Sequence, residues 1–225
     1  MTGLIEALRQ TATIVWKDLR CELRTRQTWS AMGLFALLVL VVFNFAFDLR
    51  IENLAAVAPG VLWVGFVFAG MLGLGRTVAM ERDLGAMDRL LLCPVDRRAI
   101  YFAKFLGNVL VMGAVEAVAL PVFIITYNVP IFGLRLVLVV ALGTIGVAAV
   151  GTLFAAMAAN TRARELLLPV LIFPLIVPVV IGAVRATSDL IAPIPGDAPW
   201  IGLIAAFDVI FLSLSAVTFE YVVED

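Results

Sequence analysis

Six long apolar runs, separated by short polar breaks, set the pattern of this chain. The runs span 28–47, 57–79, 100–126, 131–159, 166–186 and 200–222. Each is about the 20 residues that a helix needs to cross a bilayer, or longer, and the longer ones predict tilt or extension past the hydrocarbon. The first break holds Asp48, Arg50 and Glu52, and Tyr127-Asn128-Val129-Pro130 predicts a tight polar turn. Residues 160–165 read as a short loop, and 187–198 as a proline-rich one.

Two stretches are amphipathic rather than apolar. In residues 2–27, Leu4, Leu8, Ala12, Val15, Leu19 and Leu23 recur at helical spacing, with Arg9, Lys17, Arg20 and Arg24 on the opposite side. This predicts a helix along the membrane interface, its basic side (Lys17, Arg20, Arg24, then Arg26) toward headgroup phosphates or an acidic partner, or a plain anchor. The second stretch is Met80–Lys104, MERDLGAMDRLLLCPVDRRAIYFAK. Met80, Leu84, Met87 and Leu91 share one helical face, while Glu81, Arg82, Asp88 and Arg89 point elsewhere, and Pro94 stops the pattern. A helix over about 80–93 is too short and too charged to span, so it is expected on the membrane surface or docked on a partner there. The expected fold is an all-α integral membrane protein: an interfacial helix in 1–27, then a six-helix domain in 28–225.

Composition agrees. Of 225 residues, 63% are hydrophobic and 15% charged, against about 45–50% and about 25% in a soluble domain; mean hydropathy is +1.10. The first 27 residues contain no short apolar core before a small-residue cleavage site, so no cleavable signal peptide is expected. Net charge is −1, which gives no argument for a nucleic-acid partner.

Charge distribution predicts orientation. Of the 16 Lys and Arg, all but Arg50, Arg135 and Arg185 fall on the side that holds both termini, the central charged stretch and the 160–165 loop. That side is expected to be cytoplasmic. Cys21 and Cys93 then meet a reducing compartment, and no structural disulfide is expected.

Candidate chemistry is sparse. There is no GxxxxGK[ST] phosphate loop, no nucleophile–base pair and no metal-ligand spacing, and histidine is absent. No catalytic residue, metal or bound cofactor is therefore assigned. Gly73-Leu74-Gly75 lies inside an apolar run and reads as packing. In the fourth span Thr144, Ala148, Thr152 and Ala156 repeat every four residues, with Gly151, Ala155 and Ala159 beside them. Packing within the bundle is the first reading and a seam between copies the second. Pro169, Pro174 and Pro178 predict a kinked or locally opened fifth span, either a gate or a merely bent support. Glu116 and Asp208 lie within spans, where a charge is costly unless paired, hydrated or neutralised. They are expected to be protonated, or to bond a neighbouring helix such as one bearing Asn44 or Asn108, or else to line a polar cleft.

The order of elements resembles the membrane subunit of ABC-2 type exporters. More narrowly, Lys17–Arg26 and the run Glu81–Arg97 followed by Ile100-Tyr101-Phe102-Ala103-Lys104 are similar to the CcmB family (haem exporter protein B). The family pattern is E-R-x-x-G, L-L, P-V-D-R, I-Y and K; Cys93 stands where serine is common. The resemblance covers nearly the whole chain and implies an inner-membrane subunit in cytochrome c maturation. It implies a separate, CcmA-like ATPase that binds ATP, a second copy of this chain, a CcmC-like haem-handling subunit, a small CcmD-like subunit and a CcmE-like haem chaperone. Haem would be handled by the complex. The central stretch would couple to the ATPase, with Glu81, Arg82, Asp83, Leu84, Gly85, Met87, Asp88, Arg89 and Leu91 as contacts. Export of a lipid, polysaccharide or drug, and a non-transporting assembly scaffold, are the alternative functions.

Overall fold

The computed structural model describes residues 2–48, 54–83, 90, 92–93, 95–129, 131, 133–158, 164–192 and 199–222. Among them are seven long α-helices: α1 (Thr2–Thr25), α2 (Gln27–Asp48), α3 (Leu54–Asp83), α4 (Arg97–Tyr127), α5 (Leu134–Ala158), α6 (Arg164–Ile191) and α7 (Trp200–Val222). Six of them, α2 to α7, are long and apolar enough to cross a membrane. The chain is an all-helical integral membrane protein.

α5 and α3 form the centre. Their span residues are 72% and 61% buried, against 22–33% in the other four spans. α5 touches α3, α4, α6 and α7, and α2 lies outside against α3 and α4. The small-residue pattern explains the central place of α5. Thr144, Ala148, Thr152 and Ala155 are all buried, and its glycines admit side chains from other helices. A Cβ at Gly143 would fall within the Trp63 ring of α3, one at Gly151 would meet Leu74 of α3, and one at Gly146 would meet Asp208 of α7. With lipid as apolar as leucine, such close approach replaces the hydrophobic effect as the packing force. Large apolar side chains remain on the outside of the spans, among them Leu34, Phe45, Ile125, Val170 and Val209. A soluble monomer rarely exposes so much apolar surface, so these residues face the hydrocarbon.

Several ends differ from the pattern-based boundaries, and three of them bear on the fold. The fourth span starts at Leu134 rather than Ile131. The fifth runs five residues past Ala186, because Thr187 is not a loop residue: it is fully buried, donates to the Ala183 carbonyl at 2.7 Å and accepts from Trp63 Nε1 at 3.0 Å. Finally, no helix starts at Met80; residues 80–83 continue α3 out of its span. α6 is continuous through Pro169, Pro174 and Pro178, as transmembrane helices tolerate when neighbours support the freed carbonyls. The expected turn after α4 is present: Asn128 is left-handed (φ 50°), and its N–H and that of Val129 close onto the last turn, the latter on the Ile124 carbonyl at 3.2 Å.

Candidate functional site

Chemistry-bearing side chains gather at one end of the bundle, where α1, the start of α2, the end of α3 and the start of α4 meet. α1 docks only along the edge of its apolar stripe, where Val15 packs on the core. Leu8 and Leu23 are 62% and 58% exposed, while Thr11 and Ile14, one strip over, are buried. Thr11 donates to the Ala99 carbonyl at 3.3 Å. Asp18 receives Lys104 Nζ at 2.7 Å and Lys17 Nζ at 2.9 Å. The Lys104 side chain is only 8% exposed, so this pair is largely shielded from solvent, unlike a surface ion pair. The side by which α1 docks, through Thr11, Ile14 and Asp18, was not assigned from the sequence.

The joint between α1 and α2 is equally specific. Arg26 turns the chain with φ 54°, and Glu22 Oε1 accepts the N–H of Thr28 at 3.1 Å. This places a carboxylate on the free N–H groups at the start of α2. Arg76 of α3 donates to the Gln27 carbonyl at 3.1 Å, closing the same end.

Between α3 and α4 the chain carries the family-like run. Glu81, Arg82 and Asp83 form the last turn of α3, and Leu84, Gly85, Met87, Asp88, Arg89 and Leu91 lie outside the described residues. Leu90 and Val95 pack on the core, whereas Leu92 is 87% exposed. Asp96 caps α4 by accepting the Arg98 N–H at 2.9 Å. Arg98 pairs with Glu220 of α7 at 3.5 Å. The first two turns of α4 are thereby tied to α1 through Ala99 and Lys104 and to α7 through Arg98. Lys17, Arg20, Arg24 and Arg26 are all exposed.

The two intramembrane acids do not meet a common partner. Glu116 is 4% exposed, and both its oxygens lie 2.7–2.8 Å from the Thr144 hydroxyl. Asp208 is also 4% exposed but has no hydrogen-bond partner among the described residues; it abuts Gly146, two residues along α5 from Thr144. Positions two apart on a helix point to different sides, so the acids approach α5 from different helices and different faces. Asn44 and Asn108, the partners expected from sequence, are used elsewhere: Asn44 donates to the Thr126 carbonyl at 3.1 Å, and Asn108 to Thr152 at 2.9 Å. Asn108–Thr152 and Glu116–Thr144 are two rungs of one antiparallel α4–α5 seam. Thr144 and Thr152 had shown in the sequence only as small residues.

Among the described residues, no three His, Cys, Asp or Glu side chains cluster as metal ligands. The site is therefore a set of contacts and charged surfaces. Its identity follows from comparison with known proteins. The CcmB protein family model matches residues 9–224. The chain belongs to the CcmB family. It is 31% identical over 166 residues to the Heme exporter protein B of Rhodobacter capsulatus, covering 73% of this chain and 76% of the relative. The Heme exporter protein B of Paracoccus denitrificans is 31% identical over 171 residues (76% and 78%), and that of Bradyrhizobium diazoefficiens 29% identical over 191 (84% and 86%). The match includes both the basic end of the CcmB-family bundle and its central run.

Proposed function

We propose that this chain is the membrane subunit of a haem-exporting ABC complex that serves cytochrome c maturation. The family match over residues 9–224, with relatives named for haem export, carries this reading. It is a transport component rather than an enzyme. ATP is bound and hydrolysed by a separate CcmA-like subunit, and this subunit pairs with a second copy of itself. A CcmC-like haem-handling subunit, a CcmD-like small subunit and a CcmE-like chaperone complete the complex. Haem is cargo of the complex, not a group held by this chain.

The complex sits in the bacterial inner membrane, with both termini of this chain in the cytoplasm beside the ATPase. Work done on the segment between α3 and α4 reaches the bundle through rigid helices: directly into α3, whose helix extends to Asp83, and through the first turns of α4, tied to α1 and α7. Two such fixed attachments convert displacement of one segment into movement of the helices it joins.

The test is purification with the co-expressed partner subunits and measurement of ATP hydrolysis with and without the haem-loaded chaperone. Stimulation by that chaperone, or its ATP-driven release, is expected. The double charge reversal Asp88→Arg with Arg89→Asp is expected to lower stimulated hydrolysis roughly two- to thirtyfold, the range that a disturbed coupling element produces. Stimulation by a lipid, polysaccharide or drug instead of the chaperone would replace haem with that substrate. Assembly with cytochrome maturation proteins but no ATP dependence would leave a scaffold.

A further inference from the structure

Between α3 and α6 the surface of the bundle is recessed. Trp63, Val64 and Phe68 of α3 and Phe173, Val177 and Ile181 of α6 line a groove of about 150 Å³. Every lining side chain is apolar or aromatic. The one polar atom among them, Trp63 Nε1, is committed to Thr187 at 3.0 Å, so the groove offers a guest no hydrogen bond. It lies wholly within two spans. Val64, Phe68, Phe173, Val177 and Ile181 are 39% to 51% exposed, so its open side faces the hydrocarbon.

The two ends of the groove are unlike. At the end nearer α1, Phe68 and Phe173 meet edge to face with ring centroids 5.5 Å apart and close it. At the other end, a Cβ added to Gly60, one turn before Val64, would have nothing within 4 Å, so the groove runs on open. Arg185 stands at that same end, one turn beyond Ile181 on α6. It is exposed and pairs with no acid among the described residues. Asp189 lies one turn further from the groove.

Size and chemistry select the occupant. An apolar cavity of about 150 Å³ stays dry and takes a guest about the size of benzene, which is room for a short length of acyl chain. A porphyrin needs a pocket of roughly 300 Å³ or more, so the cargo of the complex does not fit. An unpaired guanidinium at the open end suits a phosphate, which it grips with two parallel hydrogen bonds. Phe173 to Arg185 is about 12 residues, or roughly 18 Å of helix. That length matches one leaflet, about 15 Å of hydrocarbon with a headgroup above it.

We propose that the groove between α3 and α6 holds one acyl chain of an anionic phospholipid, with the headgroup phosphate on Arg185. The lipid belongs to the leaflet away from α1. The proposal rests on the membrane spans and stands independently of haem export.

Trp63 reports on the groove from inside it. The full chain carrying Trp16→Phe, Trp29→Phe and Trp200→Phe is reconstituted into nanodiscs of mixed phosphatidylcholine and phosphatidylglycerol, with bromine on the acyl chains of one lipid or the other. Brominated phosphatidylglycerol is expected to quench Trp63 fluorescence more than brominated phosphatidylcholine at the same mole fraction. One arginine supplies a preference of roughly fivefold at most. Arg185→Gln is expected to abolish that preference, and Arg185→Lys to keep part of it. Filling the groove with Val64→Phe and Val177→Phe is expected to lower quenching by both lipids. Equal quenching by the two lipids with Arg185 in place would overturn the proposal. So would quenching by neither, which would mean that a second copy or another protein surface covers the groove. A filled groove quenched as strongly as its parent would overturn it as well. Native mass spectrometry of the chain with all its tryptophans gives a check free of the substituted background. Arg185→Gln is expected to retain less phosphatidylglycerol than the wild type, and equal retention would count against the site.

Discussion

Thr144 and Gly143 show how much single positions decide in a bundle without water. The Thr144 hydroxyl lies against both oxygens of Glu116 and also 2.9 Å from the Val140 carbonyl. Thr144→Val keeps the shape and removes the partner, so it should cost about 1 kcal/mol, toward the upper part of the range for hydrogen bonds between membrane helices. Thr144→Ser should lie within a few tenths of a kcal/mol of wild type, and thermal unfolding in detergent compares the two. Gly143→Ala places its Cβ inside the rigid Trp63 ring and should cost about 1–3 kcal/mol through overpacking. Gly113→Ala, with nothing within 4 Å of the added atom, should change stability by less than about 1 kcal/mol, since helix propensity favours alanine. A destabilised Gly113→Ala beside an unchanged Gly143→Ala would contradict the packing described for α5.

At the scale of elements, the Asp18–Lys104 pair holds α1 on α4. Its two halves should respond unequally. Asp18→Asn removes a carboxylate from a buried ammonium, whereas Lys104→Met removes one cation from a partly exposed carboxylate that keeps Lys17. Asp18→Asn should therefore be the more destabilising substitution, with a coupling energy on the order of 1 kcal/mol in a double-mutant cycle. Additive effects would show that the pair contributes nothing. The chain reversal after α4 provides an independent check. Asn128 holds φ 50°, so Asn128→Gly should be neutral or stabilising, and Asn128→Val should cost about 1–2 kcal/mol. The presence of α1 and of this turn was legible in the sequence, from leucine spacing and from the Asn128–Pro130 break. The docking side of α1 was not legible, because one of its anchors, Asp18, meets a buried lysine 86 positions away in sequence.

Across the whole molecule, the proposed orientation puts Cys21 and Cys93 on one compartment side. Both are exposed. A membrane-impermeant maleimide should modify them in inverted vesicles and leave them unmodified in spheroplasts; the opposite pattern would invert the topology. Under the proposed function, ATP-driven work enters at the end where α3 finishes, α4 begins and α1 is docked. That α5 is the hub was partly legible. The small-residue repeat marked it as a packing helix, but the helices it packs against depend on which glycine receives which side chain.

The sequence by itself determined the number of spans, the amphipathic character of α1 and the family. These follow from run length, local periodicity and a contiguous charged motif, all short-range properties that need no knowledge of neighbours. Tertiary structure decided the partner of each isolated polar group: Glu116 with Thr144, Asn108 with Thr152, Trp63 with Thr187 and Asp18 with Lys104. In a medium that offers no hydrogen bonds, each such group bonds whatever the helix crossing brings within reach. That crossing is set by the packing of small residues across distant segments, which no local pattern encodes.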